Sequence, residues 1–156
     1  MMGGGGQQQL QQLSQELEAI DEEIAELESE VESLRNRQSE IDDAIEAVET
    51  LDSGSTVQVP LGGGAYLRAE IQDIDEVIVD LGGGYAAEQE QGDAVDALER
   101  KKGVLDERID DVQGEISELE AESDEIEQQA QQMQQQMQQQ QMQQLQQQQE
   151  EQGDDE

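Results

Sequence analysis

The residues of this chain able to do chemistry are almost all carboxylates: 41 Asp and Glu stand against 7 Lys and Arg, with no His and no Cys. Without imidazole or thiol there is no base poised near neutral pH, no thiolate nucleophile and no soft metal ligand. Acidic runs such as Asp21-Glu22-Glu23 and Asp154-Asp155-Glu156 would attract Mg²⁺ or Ca²⁺ diffusely, but the ligand spacing of an EF-hand loop is missing. Two glycine triplets, Gly62-Gly63-Gly64 and Gly82-Gly83-Gly84, invite a phosphate-loop reading. Neither is followed by Lys-Ser or Lys-Thr, and neither opens a helix, so tight turns are the expectation. No enzyme activity, cofactor or dedicated metal site is therefore expected.

The formal net charge of −34 excludes the electrostatics on which nucleic-acid binding depends, since affinity for phosphates comes mainly from Lys and Arg. It leaves two readings. One is a docking surface for basic partners. The other, favoured by the presence of only two lysines, Lys101 and Lys102, is a protein that works in molar salt, where self-repulsion is screened within ~3 Å. A halophilic microbe is then the expected source. An apolar fraction of 33% and two aromatics, Tyr66 and Tyr85, argue against a conventional compact core. No apolar run is long enough to span a bilayer, and the opening MMGGGGQQQ lacks the pattern of a signal peptide, which makes a cytoplasmic location the expectation.

The glycine triplets sit inside an internal repeat. Val59-Pro60-Leu61 before the first returns as Val79-Asp80-Leu81 before the second. Around the first triplet Val57, Val59 and Leu61, then Leu67, Ala69 and Ile71, alternate with other residues; around the second Val77, Val79 and Leu81 do so, with Tyr85 and Ala87 following. A period of two on both sides of a glycine turn predicts a β-hairpin, twice, within residues 52–91. Two such hairpins cannot bury a core and leave their edges open, so this insert predicts partner chains.

Long heptad runs flank the insert. On the N-terminal side, residues 10–51, Leu10, Leu17, Ile24, Val31, Gln38 and Ile45 alternate with Leu13, Ile20, Leu27, Leu34, Ile41 and Val48 at spacings of three and four, which predicts a coiled-coil helix spanning about 60 Å. On the C-terminal side, residues 92–140, the seam runs from Val95 and Leu98 through Lys102, Ile109, Ile116, Ser123 and Ala130 to Met133 and Met137, with Asp93 as the expected N-cap. Gly103 and Gly114 interrupt it with no evident reason. If the chain folds back through the hairpins, facing seam residues have numbers summing to 143: Val48 meets Val95, Leu34 meets Ile109, Leu10 meets Met133. An antiparallel helical pair follows. The basic cluster Arg100, Lys101, Lys102 and Arg108 is expected to pair with carboxylates of the opposite helix, Lys102 extending its charge outward from a seam position.

Such a hairpin of helices brings two neutral segments together, since residues 1–15 and 128–149 hold no ionisable side chain, ahead of an acidic last stretch, 150–156. Residues 1–9 read as a flexible leader and 141–156 as a disordered glutamine-rich tail. Leu10, Leu13, Ala130, Met133 and Met137 stand among the glutamines, with Met142 and Leu145 beyond. Two readings stay open: an adaptable apolar surface of the kind methionine provides, or a frayed low-complexity end.

The segments VQVPLGGGAYLRAEI (57–71) and VIVDLGGGYAAE (77–88), with heptad helices on either side, resemble the α-type subunit of archaeal prefoldin, the GimC chaperone. The resemblance implies an α+β fold, a long antiparallel coiled-coil helical hairpin whose two central β-hairpins join others in a β-barrel platform. It implies a hexamer of two α-type and four β-type subunits that holds unfolded client proteins at the coiled-coil tips without ATP and passes them to a group II chaperonin. Under it, Val57, Val59, Leu61, Leu67, Ala69, Ile71, Val77, Val79, Leu81 and Tyr85 serve oligomerisation. Leu10, Leu13, Ala130, Met133 and Met137 serve client binding. The competing expectation is a coiled-coil scaffold with fixed, folded partners, and neither reading involves nucleic acid or membrane.

Overall fold

The structure, a computed structural model, describes residues 3–153; the first two residues of the expected leader and the Asp154-Asp155-Glu156 run lie outside the described residues. In chain order the elements are α1 (Gly3–Thr50), β1 (Thr56–Gly62), β2 (Ala65–Glu70), β3 (Val77–Gly82), β4 (Tyr85–Gln89) and α2 (Gln91–Gly153). The chain divides into two compact units. A hairpin unit comprises Val31–Asp111, and a terminal unit comprises the residues up to Glu30 and from Val112 onward.

Within the hairpin unit, β1 pairs antiparallel with β2 and β3 with β4, as two separate two-stranded sheets. Val57 lies opposite Ala69 and Val59 opposite Leu67 in the first; Val77 lies opposite Gln89 and Val79 opposite Ala87 in the second. Each turn is made by the last two glycines of its triplet. Gly63 and Gly64 have φ of 61° and 82°, Gly83 and Gly84 φ of 63° and 82°. Positive φ at both central positions is the type I′ geometry whose twist matches that of the strands, which is why glycine stands there. The strands do not close into a barrel within one chain, and every strand keeps an open edge.

The helical part of this unit follows the heptads. Val31, Leu34, Val95 and Ile109 are buried, and Gln38, Ile41, Ile45, Val48, Leu98, Lys102 and Leu105 are half-buried. Cross-links fix the direction and register. Gln38 Nε2 donates to Lys102 O at 3.4 Å and to the Asp106 carboxylate, and Lys102 Nζ pairs with Asp42 Oδ1 at 2.8 Å. Nearer the hairpins, Gln91 Nε2 donates to Val48 O (2.6 Å) and Leu51 O (3.1 Å). As α1 numbers rise, α2 numbers fall, so the helices are antiparallel, close to the summed register of 143. The two Gln91 bonds satisfy carbonyls that the end of α1 would otherwise leave without donors.

The start of α2 differs from expectation. The helix begins at Gln91, its first N–H donates to Asp75 Oδ1 at 3.2 Å, and Ala94 N donates to Glu90 O at 2.8 Å. Asp93 therefore lies in the first turn instead of capping it, still at the favourable end of the helix dipole. The cap comes from a loop residue distant in sequence.

In the terminal unit, Ile20, Val112 and Ile126 are buried, while Leu10, Leu13, Leu17, Ile24, Leu27, Ile116, Leu119, Ser123, Ala130, Met133 and Met137 are half-buried. Helix also replaces the expected leader and tail: α1 reaches back to Gly3, and α2 runs on to Gly153. Gln, Met and Leu are good helix formers, so the composition that marks low complexity also sustains a helix already begun. Gly6 is half-buried against Met137, where an added Cβ would lie 3.2 Å from the sulfur. That adds one layer to the seam.

Candidate functional site

Two surfaces contain the residues that the sequence singles out. In the hairpin unit, the apolar face of β1 and β2 is open: Val59 is exposed, Leu61 is 65% and Leu67 56% accessible, while Val57, Ala69 and Ile71 are half-buried. This face has apolar cross-strand pairs and is uncovered toward its turn, at Val59, Leu61 and Leu67, which suits it to contact another chain.

The second hairpin is divided. Val79 is only 4% accessible and packs with Ala94 and Ala97 of α2, beside Val48, Val77 and Leu98. Val77 and Val79, grouped by the period-two pattern with the open face, are thus used within the chain to fix this hairpin to the helices. Leu81 and Tyr85, near the turn, remain exposed. The pattern also missed the residue on the other face: Ile78, opposite Glu88, is 74% accessible. Off-seam Val104 is likewise exposed and lines a groove of about 510 Å³ with Arg37, Ile41, Leu81, Lys101 and Leu105. An apolar residue out of heptad phase was the available signal for Val104.

Of the basic cluster, Lys102 meets a carboxylate of the opposite helix as expected, whereas Arg100 bonds within its own helix. Lys102, half-buried in the seam, reaches Asp42; the hydrogen bond from that carboxylate, and then its charge, raise the lysine pKa above its ordinary 10.5. Arg100 Nε donates to Asp96 O of its own helix at 3.4 Å.

In the terminal unit, all five residues assigned to client contact lie in the seam and are half-buried, so each helix already covers part of the other's set. What they leave open is a groove of about 420 Å³ lined by Leu13 and Met133 with Gln9, Gln12, Gln132 and Gln136, among others. Beyond Met137 no side chain of α2 is covered, and Met142 stands 68% accessible with Leu145 close behind. Among the described residues no cluster of acidic side chains is placed to hold a metal, and no helix is long and apolar enough to cross a membrane.

Comparison with known proteins decides the family. A family model described as prefoldin subunit matches residues 20–136. The chain belongs to the prefoldin family. Its relatives include the prefoldin subunit alpha of Halorubrum lacusprofundi, 71% identical over 112 residues that cover 72% of this chain and 74% of the relative. That of Haloarcula marismortui is 64% identical over 114 residues, covering 73% and 74%. A chain from the filamentous PFD of Methanocaldococcus jannaschii, solved by cryo-EM, superposes with a TM-score of 0.50 at 25% identity, covering 75% of this chain and 93% of that one. Two long helices joined through two β-hairpins are therefore the prefoldin fold. Membership in this chaperone family also weighs against the scaffold reading. The family match stops at residue 136, short of most of the glutamine-rich part of α2, so that segment has to be understood from its own residues.

Proposed function

We propose that this prefoldin subunit is of the α type, from a halophilic archaeon, and that it acts as an ATP-independent chaperone in the cytoplasm. It joins a second α-type and four β-type subunits through its hairpins, holds unfolded proteins at the ends of its helices, and releases them to a group II chaperonin. The observation that carries the reading is the open apolar face of Val59, Leu61 and Leu67 on strands that all keep a free edge. Closure into a barrel shared between subunits would remove both liabilities. The α type is supported by the relatives' names and by the two consecutive hairpins, and the halophilic source by their organisms and the net charge of −34.

Client contact is assigned to Leu10, Leu13, Ala130, Met133 and Met137, where several weak contacts from neighbouring subunits would add through effective concentration. The first test is mass by light scattering in molar KCl, with and without a single-hairpin partner subunit from the same genome. A discrete hexamer on mixing supports the assembly; a persistent monomer or plain dimer removes it and leaves the scaffold reading in front. The second test is suppression of client aggregation, which Met133→Glu with Met137→Glu should weaken while leaving the hexamer intact.

A further inference from the structure

Charge is unevenly divided within the terminal unit. Every charged residue from Glu16 to Glu30 on α1 and from Glu115 to Glu127 on α2 is a carboxylate, whereas residues 1–15 and 128–149 contain no charge of either sign. The replacement is mostly Gln for Glu. These side chains have nearly the same size and helix propensity, and α2 is helical on both sides of the change, so the exchange serves neither shape nor helix. It alters charge, and it turns an acceptor-only group into one that also donates. The groove lined by Gln9, Gln12, Leu13, Gln132, Met133 and Gln136 falls in the neutral part, with Glu16 as the carboxylate at its border.

Resting on the client-holding role proposed above, we infer that this groove takes an extended segment of an unfolded polypeptide that is itself negatively charged. A basic client would be served by keeping at the groove the carboxylates that fill the adjoining turns. Instead they are removed where contact is made. A chain of net charge −34 depends on concentrated salt for screening, and other polypeptides working in the same solvent face the same constraint. Acidic clients would be repelled by a Glu-lined groove. A glutamine amide both donates and accepts, so it can bond main-chain N–H and C=O groups of any sequence. Leu13 and Met133 supply adaptable apolar contact. Capture of this kind tolerates the carboxylates of an acidic client and survives high salt.

The test uses the full-length chain and three fluorescent peptides that share one pattern of Leu and Phe and carry Glu, Gln or Lys at the remaining positions. Anisotropy is read from about 0.5 to about 3 M KCl, with helicity checked by circular dichroism at each salt. The Glu peptide is expected to bind within about threefold of the Gln peptide and not to weaken as salt rises. In the variant Q12E/Q132E/Q136E, its affinity should fall about tenfold at the low-salt end and recover at the high end, with the Gln peptide unmoved. A wild-type preference of about tenfold for the Lys peptide, lost with salt, would overturn the inference and assign capture to the acidic turns. Unchanged Glu-peptide affinity in the triple variant would overturn it as well. Failure of all three peptides to bind would instead sink the client-holding role on which it rests.

Discussion

Val79 and Leu61 belong to the same sequence pattern, yet the structure gives them opposite tasks, and one pair of substitutions separates these. Val79 is 4% accessible and packs on Ala94 and Ala97, whereas Leu61 is 65% accessible. Val79→Ala removes two buried carbons, about 1.6 kcal/mol of transfer free energy at ~0.8 kcal/mol per methylene. Incomplete collapse of the space left behind raises the loss toward about 3 kcal/mol. For a chain of 156 residues a loss of about 2 kcal/mol lowers the melting temperature by about 4–8 °C. Leu61→Glu alters a side chain already in water, so the isolated chain should keep its stability within about 0.5 kcal/mol. In a subunit interface the same glutamate is buried without a partner, at a cost of several kcal/mol. Thermal unfolding of the isolated chain and light scattering of the mixed subunits, both in molar KCl, form the assay. Val79→Ala should shift the melt, and Leu61→Glu should abolish the assembly. The reasoning is refuted if Leu61→Glu destabilises the isolated chain as much as Val79→Ala does, or if it assembles normally.

Gly103 and Gly114 lie in the interior of α2 with open space where a Cβ would stand, so Gly103→Ala and Gly114→Ala should each stabilise by about 1 kcal/mol, read from urea midpoints. Gln91→Ala removes both side-chain bonds to the last carbonyls of α1; a loss of about 1–2 kcal/mol is expected, with faster amide exchange near Thr50. Because Asp42 raises the pKa of Lys102, the stability from this pair is full below pH 10.5 and is lost as pH rises through the raised value. Denaturation curves of wild type and Asp42→Asn should accordingly converge in strong alkali; a gap that persists there counts against the pair. Truncation after Gln140 removes exposed Met142 and Leu145 without touching a seam layer, so melting should be unchanged while suppression of client aggregation declines.

How far the sequence was legible depends on the distance over which each feature is encoded. In the described parts of both helices, every seam position picked by the three-and-four spacing is buried or half-buried, because that periodicity is local and repeated many times. The turns were equally plain, since only glycine meets positive φ at two successive positions without strain. The task of Val79 was not legible. A period of two tells which residues share a face of a strand, but not whether that face meets its own helix or another chain. Gln91 escaped for a similar reason: its amide closes the end of a helix 40 residues earlier, and glutamine has no capping signature of its own. Asp75 does the same for the start of α2 from 16 residues away.

The two helices differ in length, 48 residues for α1 against 63 for α2, and the register explains what the difference means. With facing numbers summing to 143, Met137 meets Gly6 and the described part of α1 offers no partner to residues beyond about 140, where every side chain from 141 to 153 is exposed. An isolated helix of that length would be marginal in water because nucleation is costly. Here the nucleus is supplied by the paired part of α2, and each further residue only propagates it, at little cost for glutamine, methionine and leucine. The outcome is a helix that carries exposed apolar side chains beyond its paired layers without needing a core. Glutamine permits this. It sustains the helix as glutamate would, but leaves the exposed methionine and leucine in a segment free of charge until Glu150.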